Sequence, residues 1–256
     1  MRATPFPHAE GRPLVLGHRG ASSEAPENTL AAFRRALQLG ADGFELDVWR
    51  CGTGEVVVFH DEDARRIAGS PLRIAHEPLE RLRTLEVGAW RGEPFRGERM
   101  PLLEEVLRTF PGAVVNVEMK AAGVPDLGLA REVARLVREA GAAGRVIVSS
   151  FSCALLGAFR VTAPEIPTGF LVAPGRLWAA RAAFCTRLLG TPAIHPSRTL
   201  VSGERARRWT EDGLRFLVWT VDAADEVERL ALLGATAVIG NRPGVAREAV
   251  RRATGR

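Results

Sequence analysis

His18, Arg19, Glu45, Asp47 and His60 follow one another closely in a chain of 256 residues, each at the end of an apolar run. The runs are Leu14-Val15-Leu16-Gly17, Gly43-Phe44-Glu45-Leu46-Asp47-Val48 and Val56-Val57-Val58-Phe59. Polar groups that end successive buried strands converge on one rim of a sheet or barrel, where α/β proteins place their chemistry. Two imidazoles, two carboxylates and a guanidinium on one rim suit metal-assisted work on a phosphate ester.

Glu45 and Asp47 lie two apart on a strand, so their side chains share a face, and the same parity links Glu118 and Lys120 in Val114-Val115-Asn116-Val117-Glu118-Met119-Lys120. Three inward carboxylates do not all stay charged in low dielectric without a cation. A hard divalent ion held by Glu45, Asp47 and Glu118 answers that, and all-oxygen ligation selects Mg²⁺ or Ca²⁺ over zinc. The competing account is a set of rim salt bridges to Arg19 and Lys120. Either carboxylate motif alone favours that account; the two together favour metal.

His18 and His60 form the expected acid/base pair, because imidazole gives or takes a proton near neutral pH. Arg19 and Lys120 supply charge for non-bridging phosphate oxygens. Lys120 is the one lysine among 35 basic residues, and a compact ammonium is not interchangeable with a planar guanidinium. Trp219, closing Phe216-Leu217-Val218-Trp219, reads equally as a substrate wall or as core filling. Asn28 reads as a cap for the first long helix ahead of an orienting group for the rim, and His195, on a later strand, as structural ahead of a pocket-lining residue.

Positioning these groups takes a repeating scaffold. Strand-like segments at 13–18, 43–48, 113–119, 145–150, 167–172, 192–195, 215–220 and 236–240 alternate with helical patterns near 27–39, 101–110, 126–141, 152–162, 175–188, 202–211, 222–233 and 243–253. Such βα repetition predicts an α/β protein with the TIM (β/α)8 barrel fold, as a single catalytic domain over 1–256. An extra short strand at 55–60 and a polar insertion at about 61–100, with a helix near 77–86, interrupt the rhythm after the second strand and should shape the mouth.

Composition narrows the partners. The net charge of +5 is spread along helical faces, aromatics make up 6% and there is no Tyr, so no nucleic-acid groove is expected. No apolar stretch is long enough to span a bilayer, and the N-terminus lacks a secretion-type apolar core, which together predict a cytoplasmic protein without stable membrane insertion. Cys51, Cys153 and Cys185 are odd in number, widely spaced and free of a CxxC pair, so they read as small buried hydrophobes and not as a disulfide framework or zinc cluster.

The chain resembles the glycerophosphodiester phosphodiesterase family through Gly17-His18-Arg19-Gly20, Pro26-Glu27-Asn28-Thr29, Glu45-Leu46-Asp47-Val48, Val58-Phe59-His60-Asp61, Met100-Pro101-Leu102-Leu103-Glu104-Glu105, Glu118-Met119-Lys120 and Trp219-Thr220-Val221-Asp222. The likeness runs from about residue 14 to 247. It implies a β/α barrel that hydrolyses small glycerophosphodiesters to sn-glycerol 3-phosphate and an alcohol. It assigns acid/base catalysis to His18 and His60, divalent metal to Glu45, Asp47 and Glu118, and phosphate contact to Arg19 and Lys120. Leu102 stands where that family usually has Thr, Asp222 where Asn is common, and Gly240-Asn241-Arg242-Pro243 where Thr-Asp-x-Pro is typical. These departures are expected to bear on substrate preference and not to touch the metal or acid/base set. The alternatives are a lysophospholipase D-like enzyme for bulkier diesters, a lyase using Lys120 as a Schiff-base amine, and a barrel that binds glycerol phosphates without turnover. The short polar insertion offers no evident acyl groove, which favours small substrates.

Overall fold

A computed structural model describes residues 6–255 of the protein. Eight parallel strands close into a barrel: β1 (Leu14–His18), β2 (Gly43–Arg50), β4 (Val114–Met119), β5 (Val146–Ser150), β6 (Thr168–Val172), β7 (Ala193–Pro196), β8 (Arg215–Val218) and β9 (Ala237–Gly240). The ring closes where β1 pairs with both β9 and β2. A short strand, β3 (Val56–Val58), runs antiparallel on the end of β2. The strand segments read from sequence agree with these to within a few residues.

The strands are buried on both faces, as parallel strands sheathed by helices must be. Inside the barrel, Leu14, Leu16, Ile147, Ala193, Leu217, Ala237 and Ile239 form one cluster. Outside it, α1 (Leu30–Gln38), α4 (Leu103–Thr109), α5 (Leu127–Glu139), α6 (Cys153–Thr162), α7 (Trp178–Ala183), α8 (Gly203–Glu211), α9 (Ala224–Leu232) and α10 (Pro243–Thr254) wrap the strands. In α5 the apolar stripe Leu129, Val133, Leu136 and Val137 is buried, and the Asp126 carboxylate caps the helix by accepting the Gly128 N–H. Phe33 of α1 stacks on Phe44 of β2 at 4.3 Å, with Phe110 edge-on to Phe44 at 5.4 Å. Truncating Phe44 to Ala in this packing would cost about 3–5 kcal/mol.

The excursion after β3 is less polar in its interior than its composition implies. It holds α2 (Arg65–Ala68) and α3 (Leu79–Leu82), the latter shorter than the helix expected near 77–86. Its residues Ile67, Ile74, Leu82 and Val87 bury with Trp49, Val57 and Met100 in a core of their own. The cysteine expectation is corrected. Cys51 is a buried free thiol, but Cys153 and Cys185 are joined by a disulfide across a sequence separation of 32, with Cα atoms 5.9 Å apart. The chain brings the start of α6 against the π-helical turn Phe184–Leu188 that continues α7, a neighbourhood that sequence spacing does not reveal.

Candidate active site

Strand register assembles the rim. His18 lies beside Glu45, Glu45 beside Asn116, Asp47 beside Glu118, and Glu118 beside Ser149. Glu45, Asp47 and Glu118 are 4%, 1% and 9% exposed, with one ligand oxygen of each within 4.8 Å of the others. Asp47 is tied to Lys120 Nζ at 3.2 Å, and Glu118 to the same ammonium at 2.7 Å. Glu45 forms no ion pair among the described residues; its Oε2 accepts the Arg19 backbone N–H at 3.0 Å.

Their protonation follows from those surroundings. Burial, and then the charges of Asp47 and Glu118, raise the Glu45 carboxyl well above its ordinary range. Burial and Asp47 push Glu118 up to about 7. Burial would raise Asp47 as well, but Lys120 and Arg19 outweigh it and hold Asp47 low. Arg19 and Lys120 are thus shared among three buried carboxylates, and Glu45 has no ion-pair partner among the described residues. An all-oxygen set of this kind fits a hard divalent cation. The salt bridges of the competing account are present too, and they do not suffice for three carboxylates.

Arg19 sits at a backbone φ of 55°, in the turn between β1 and Gly20. Gly20 has a φ of 85°, and a Cβ there would come within 2.6 Å of Ala32, so only glycine lets the turn settle onto α1. Arg19 Nη1 donates to Glu27 at 2.9 Å, and its Nε lies 3.3 Å from Asp47 Oδ2 without hydrogen-bond alignment. Burial pulls the Lys120 ammonium down, but Asp47 and Glu118 outweigh it and push it up to about 12. A Schiff-base nucleophile must be a neutral amine, so this setting opposes the lyase alternative.

His18 and His60 line one cavity of about 80 Å³ together with Arg19, Glu45, Glu118, Lys120 and Trp219. His60 Nδ1 pairs with Asp61 Oδ1 at 2.6 Å, and Arg66 of α2 holds Asp61 and Glu27 at once. His18 Nδ1 meets Asn241 Oδ1 at 2.7 Å. Burial lowers both imidazoles below their ordinary value. The Asn241 contact corrects the expectation that departures from the family pattern stay clear of the acid/base set: Asn241 touches His18, and Asp222 holds Asn241. Residue parity carried a signal, since Asn241 continues the inward series Ala237, Ile239.

Of the two readings of Asn28, the structure favours the orienting group over the cap. Thr29 caps α1, its Oγ1 accepting the Ala32 N–H at 3.2 Å, while the Asn28 side chain turns to Asp47. Trp219 lines the cavity, donates its indole N–H to the His195 carbonyl at 2.7 Å and packs edge-on against Phe151. It forms part of the cavity wall and also packs against the inner barrel cluster. The His195 ring is fully buried against Gly169, and neither ring nitrogen has a hydrogen-bond partner, which agrees with a structural role. Phe151 and Leu171 also line a second, more apolar cavity of about 350 Å³, formed by the segment between β6 and α7 and not by the insertion.

The rim of this (β/α)8 barrel thus gathers three buried carboxylates, two imidazoles, a guanidinium and an ammonium around one cavity. Residues 18–245 match the glycerophosphoryl diester phosphodiesterase family, and the chain belongs to that family. A glycerophosphodiester phosphodiesterase of Caldanaerobacter subterraneus is 34% identical, over 90% of this chain and 94% of its own. The structure of an Oleispira antarctica phosphodiesterase in complex with sn-glycerol 3-phosphate as product superposes with a TM-score of 0.81 at 28% identity, covering 93% of this chain and 97% of that one. The glycerophosphodiester phosphodiesterase structure of Agrobacterium tumefaciens gives a TM-score of 0.78 at 26% identity, covering 92% of this chain and 99% of the other.

Proposed function

We propose that the chain, acting as one catalytic domain, hydrolyses small glycerophosphodiesters to sn-glycerol 3-phosphate and an alcohol at the rim cavity. The observation that carries this reading is the buried triad Glu45, Asp47 and Glu118, in reach of one shared ion beside a cavity lined by both His18 and His60. The triad would hold Mg²⁺ or Ca²⁺, and a divalent ion there supplies Lewis-acid polarisation of the phosphoryl group. Arg19 and Lys120 set positive charge beside the non-bridging oxygens, where it gains most as the transition state forms. His18 accepts the proton of the attacking oxygen. His60, backed by the Asp61 carboxylate, protonates the departing alkoxide. Trp219 forms the wall for the glycerol arm.

The test is product analysis on glycerophosphocholine, with chelator and with Mg²⁺ or Ca²⁺ restored. Release of sn-glycerol 3-phosphate that chelator abolishes and metal restores is the expected result. Turnover unaffected by chelator would remove the metal from the reading, and absence of that product under every metal would remove the reaction.

One observation favours bulkier diesters as a second reading: the apolar cavity that shares Phe151 and Leu171 with the catalytic one. Relative rates on glycerophosphocholine and lysophosphatidylcholine decide between the two. No helix among the described residues is long and apolar enough to cross a membrane. We assign the protein to the cytoplasm, with a small-molecule substrate and no nucleic-acid partner. The Cys153–Cys185 bond weighs against that compartment, because such bonds persist mainly in oxidising ones. Trapping free thiols in intact cells tests it.

A further inference from the structure

Behind His18, on the side away from the cavity, stand two residues with no part in the reaction as described above. Asn241 follows β9, and its backbone N–H donates to Asp222 Oδ1 at 2.6 Å while its side-chain Nδ2 donates to Asp222 Oδ2 at 2.8 Å. The carboxylate thus grips the amide from two directions. A carboxylate only accepts, so the NH₂ end of Asn241 must face Asp222, which fixes the orientation of an amide that could otherwise be flipped. Its Oδ1 is then turned to His18 Nδ1 at 2.7 Å and to Ser22 Oγ at 2.8 Å. The close approach of the two segments depends on Gly240, where a Cβ would fall 2.0 Å from the Val221 carbonyl oxygen.

An amide oxygen cannot donate. His18 Nδ1 must therefore carry a proton, and in the neutral ring Nε2 carries the lone pair. No hydrogen bond to His18 Nε2 exists among the described residues, and His18 lines the catalytic cavity. The two imidazoles thus differ in kind: His60 has an ionised partner in Asp61, His18 a neutral one in Asn241. A carboxylate stabilises an imidazolium, whereas an amide fixes the tautomer without adding charge. Arg19, Asp47 and His60 act electrostatically on His18, and Glu45 lies beside it in the strand register.

We propose that Asn241, locked by Asp222, is the positioning residue of His18, holding its ring as the Nδ1–H tautomer so that Nε2 meets the attacking oxygen as a base. This rests on the hydrolytic reading for its consequence, but the tautomer itself is a property of the free protein. In the step concerned, the attacking oxygen forms its bond to phosphorus as its proton passes to His18 Nε2. The bond from phosphorus to the alcohol oxygen breaks, and that oxygen takes a proton from His60.

The test is nitrogen-15 NMR of the metal-free wild-type protein, in which the two ring nitrogens of a neutral histidine are distinguished by whether each bears hydrogen. The expected spectrum has His18 protonated at Nδ1 and bare at Nε2. The opposite tautomer, or a mixture, would overturn the proposal without any variant. Asn241→Leu and Asp222→Leu should both give mixed tautomers. Each should also lower kcat by about two orders of magnitude, the low end of what a positioned acid/base group supplies, with KM changed far less. The double exchange Asn241→Asp with Asp222→Asn, which keeps an acceptor facing His18 and a donor–acceptor pair behind it, should retain the Nδ1–H tautomer and most of the turnover. Variants that lower Tm but leave both tautomer and kcat intact would make the pair merely structural and would overturn the proposal. A wild-type protein with the expected tautomer but no hydrolysis of any glycerophosphodiester would refute the proposed reaction and the role of His18 as its base, while leaving the lock itself standing.

Discussion

Asn28 and Asp47 hold each other through two hydrogen bonds: Asn28 Nδ2 donates to Asp47 Oδ2 at 2.9 Å, and Asn28 Oδ1 accepts the Asp47 backbone N–H at 3.3 Å. Asn28 takes a left-handed backbone, φ 57°, to make this contact, a conformation Asn tolerates better than most residues. The amide aims the Asp47 carboxylate at the triad. Asn28→Ala is expected to weaken divalent-metal affinity by about 10–100-fold, the usual effect of losing a partner that orients a ligand. Calorimetric titration with Mg²⁺ or Ca²⁺ measures it, and an unchanged affinity would mean that Asp47 needs no such guide.

Lys120 bridges Asp47 and Glu118, two of the three buried carboxylates. Lys120→Met should reduce kcat/KM by about 10²–10³-fold, since a charge poised for the phosphoryl group is lost and two buried carboxylates lose their shared ammonium. Lys120→Arg should not restore it, because a planar fork cannot take the place of a compact ammonium between two carboxylates. Near-normal kcat/KM in the arginine variant would show that charge alone matters there.

His18 and His60 are separable by leaving group. Replacing His60 with Ala should cost about 10²–10⁴-fold in turnover on an alkyl diester, but far less on a nitrophenyl ester, whose departing oxygen needs no proton. His18→Ala should cost a similar amount on both. If the nitrophenyl ester rescues the His18 variant instead, the acid and base assignments are exchanged.

His195 links the barrel interior to acid stability. Burial lowers its imidazole to about 3, against an ordinary value of 6.5. Between those values the unfolded chain binds a proton that the native one refuses, so stability rises with pH through this window and is lost as pH falls below 6.5. The slope is about 1.4 kcal/mol per pH unit from this one group, or about 2 kcal/mol between pH 7 and pH 5. Denaturant titrations at those two pH values should show a shallower loss for His195→Gln than for the wild type. Equal slopes would mean that the native state protonates His195 after all.

Much of the fold was legible because parallel strands announce themselves as short apolar runs between helical stretches, and β1, β2 and β4 to β9 fall where those runs lie. Period-two parity did the same for Glu45, Asp47 and Glu118, which the register then stacks side by side. What escaped depended on contacts between distant segments. Asn241 meets His18 across 223 positions, and Arg66 reaches Glu27 from the insertion across 39. Parity turns Asn241 inward, but no local pattern encodes which residue it meets, and none encodes the reach of Arg66. Asn28 adjoins the helix start, so the sequence ranks the cap above the orienting role, but Thr29 takes that post and the Asn28 amide turns inward.

The bond between Cys153 and Cys185 bears on how the protein is handled. A sample kept in strong reductant and one exposed to air are two distinct covalent compounds, differing by a pair of hydrogen atoms. Only in the oxidised compound is the turn after α7 chained to the start of α6, two positions beyond Phe151 and its contact with Trp219. Kinetic constants from the two preparations therefore describe different substances, and the oxidation state belongs beside buffer and metal in any record of a rate.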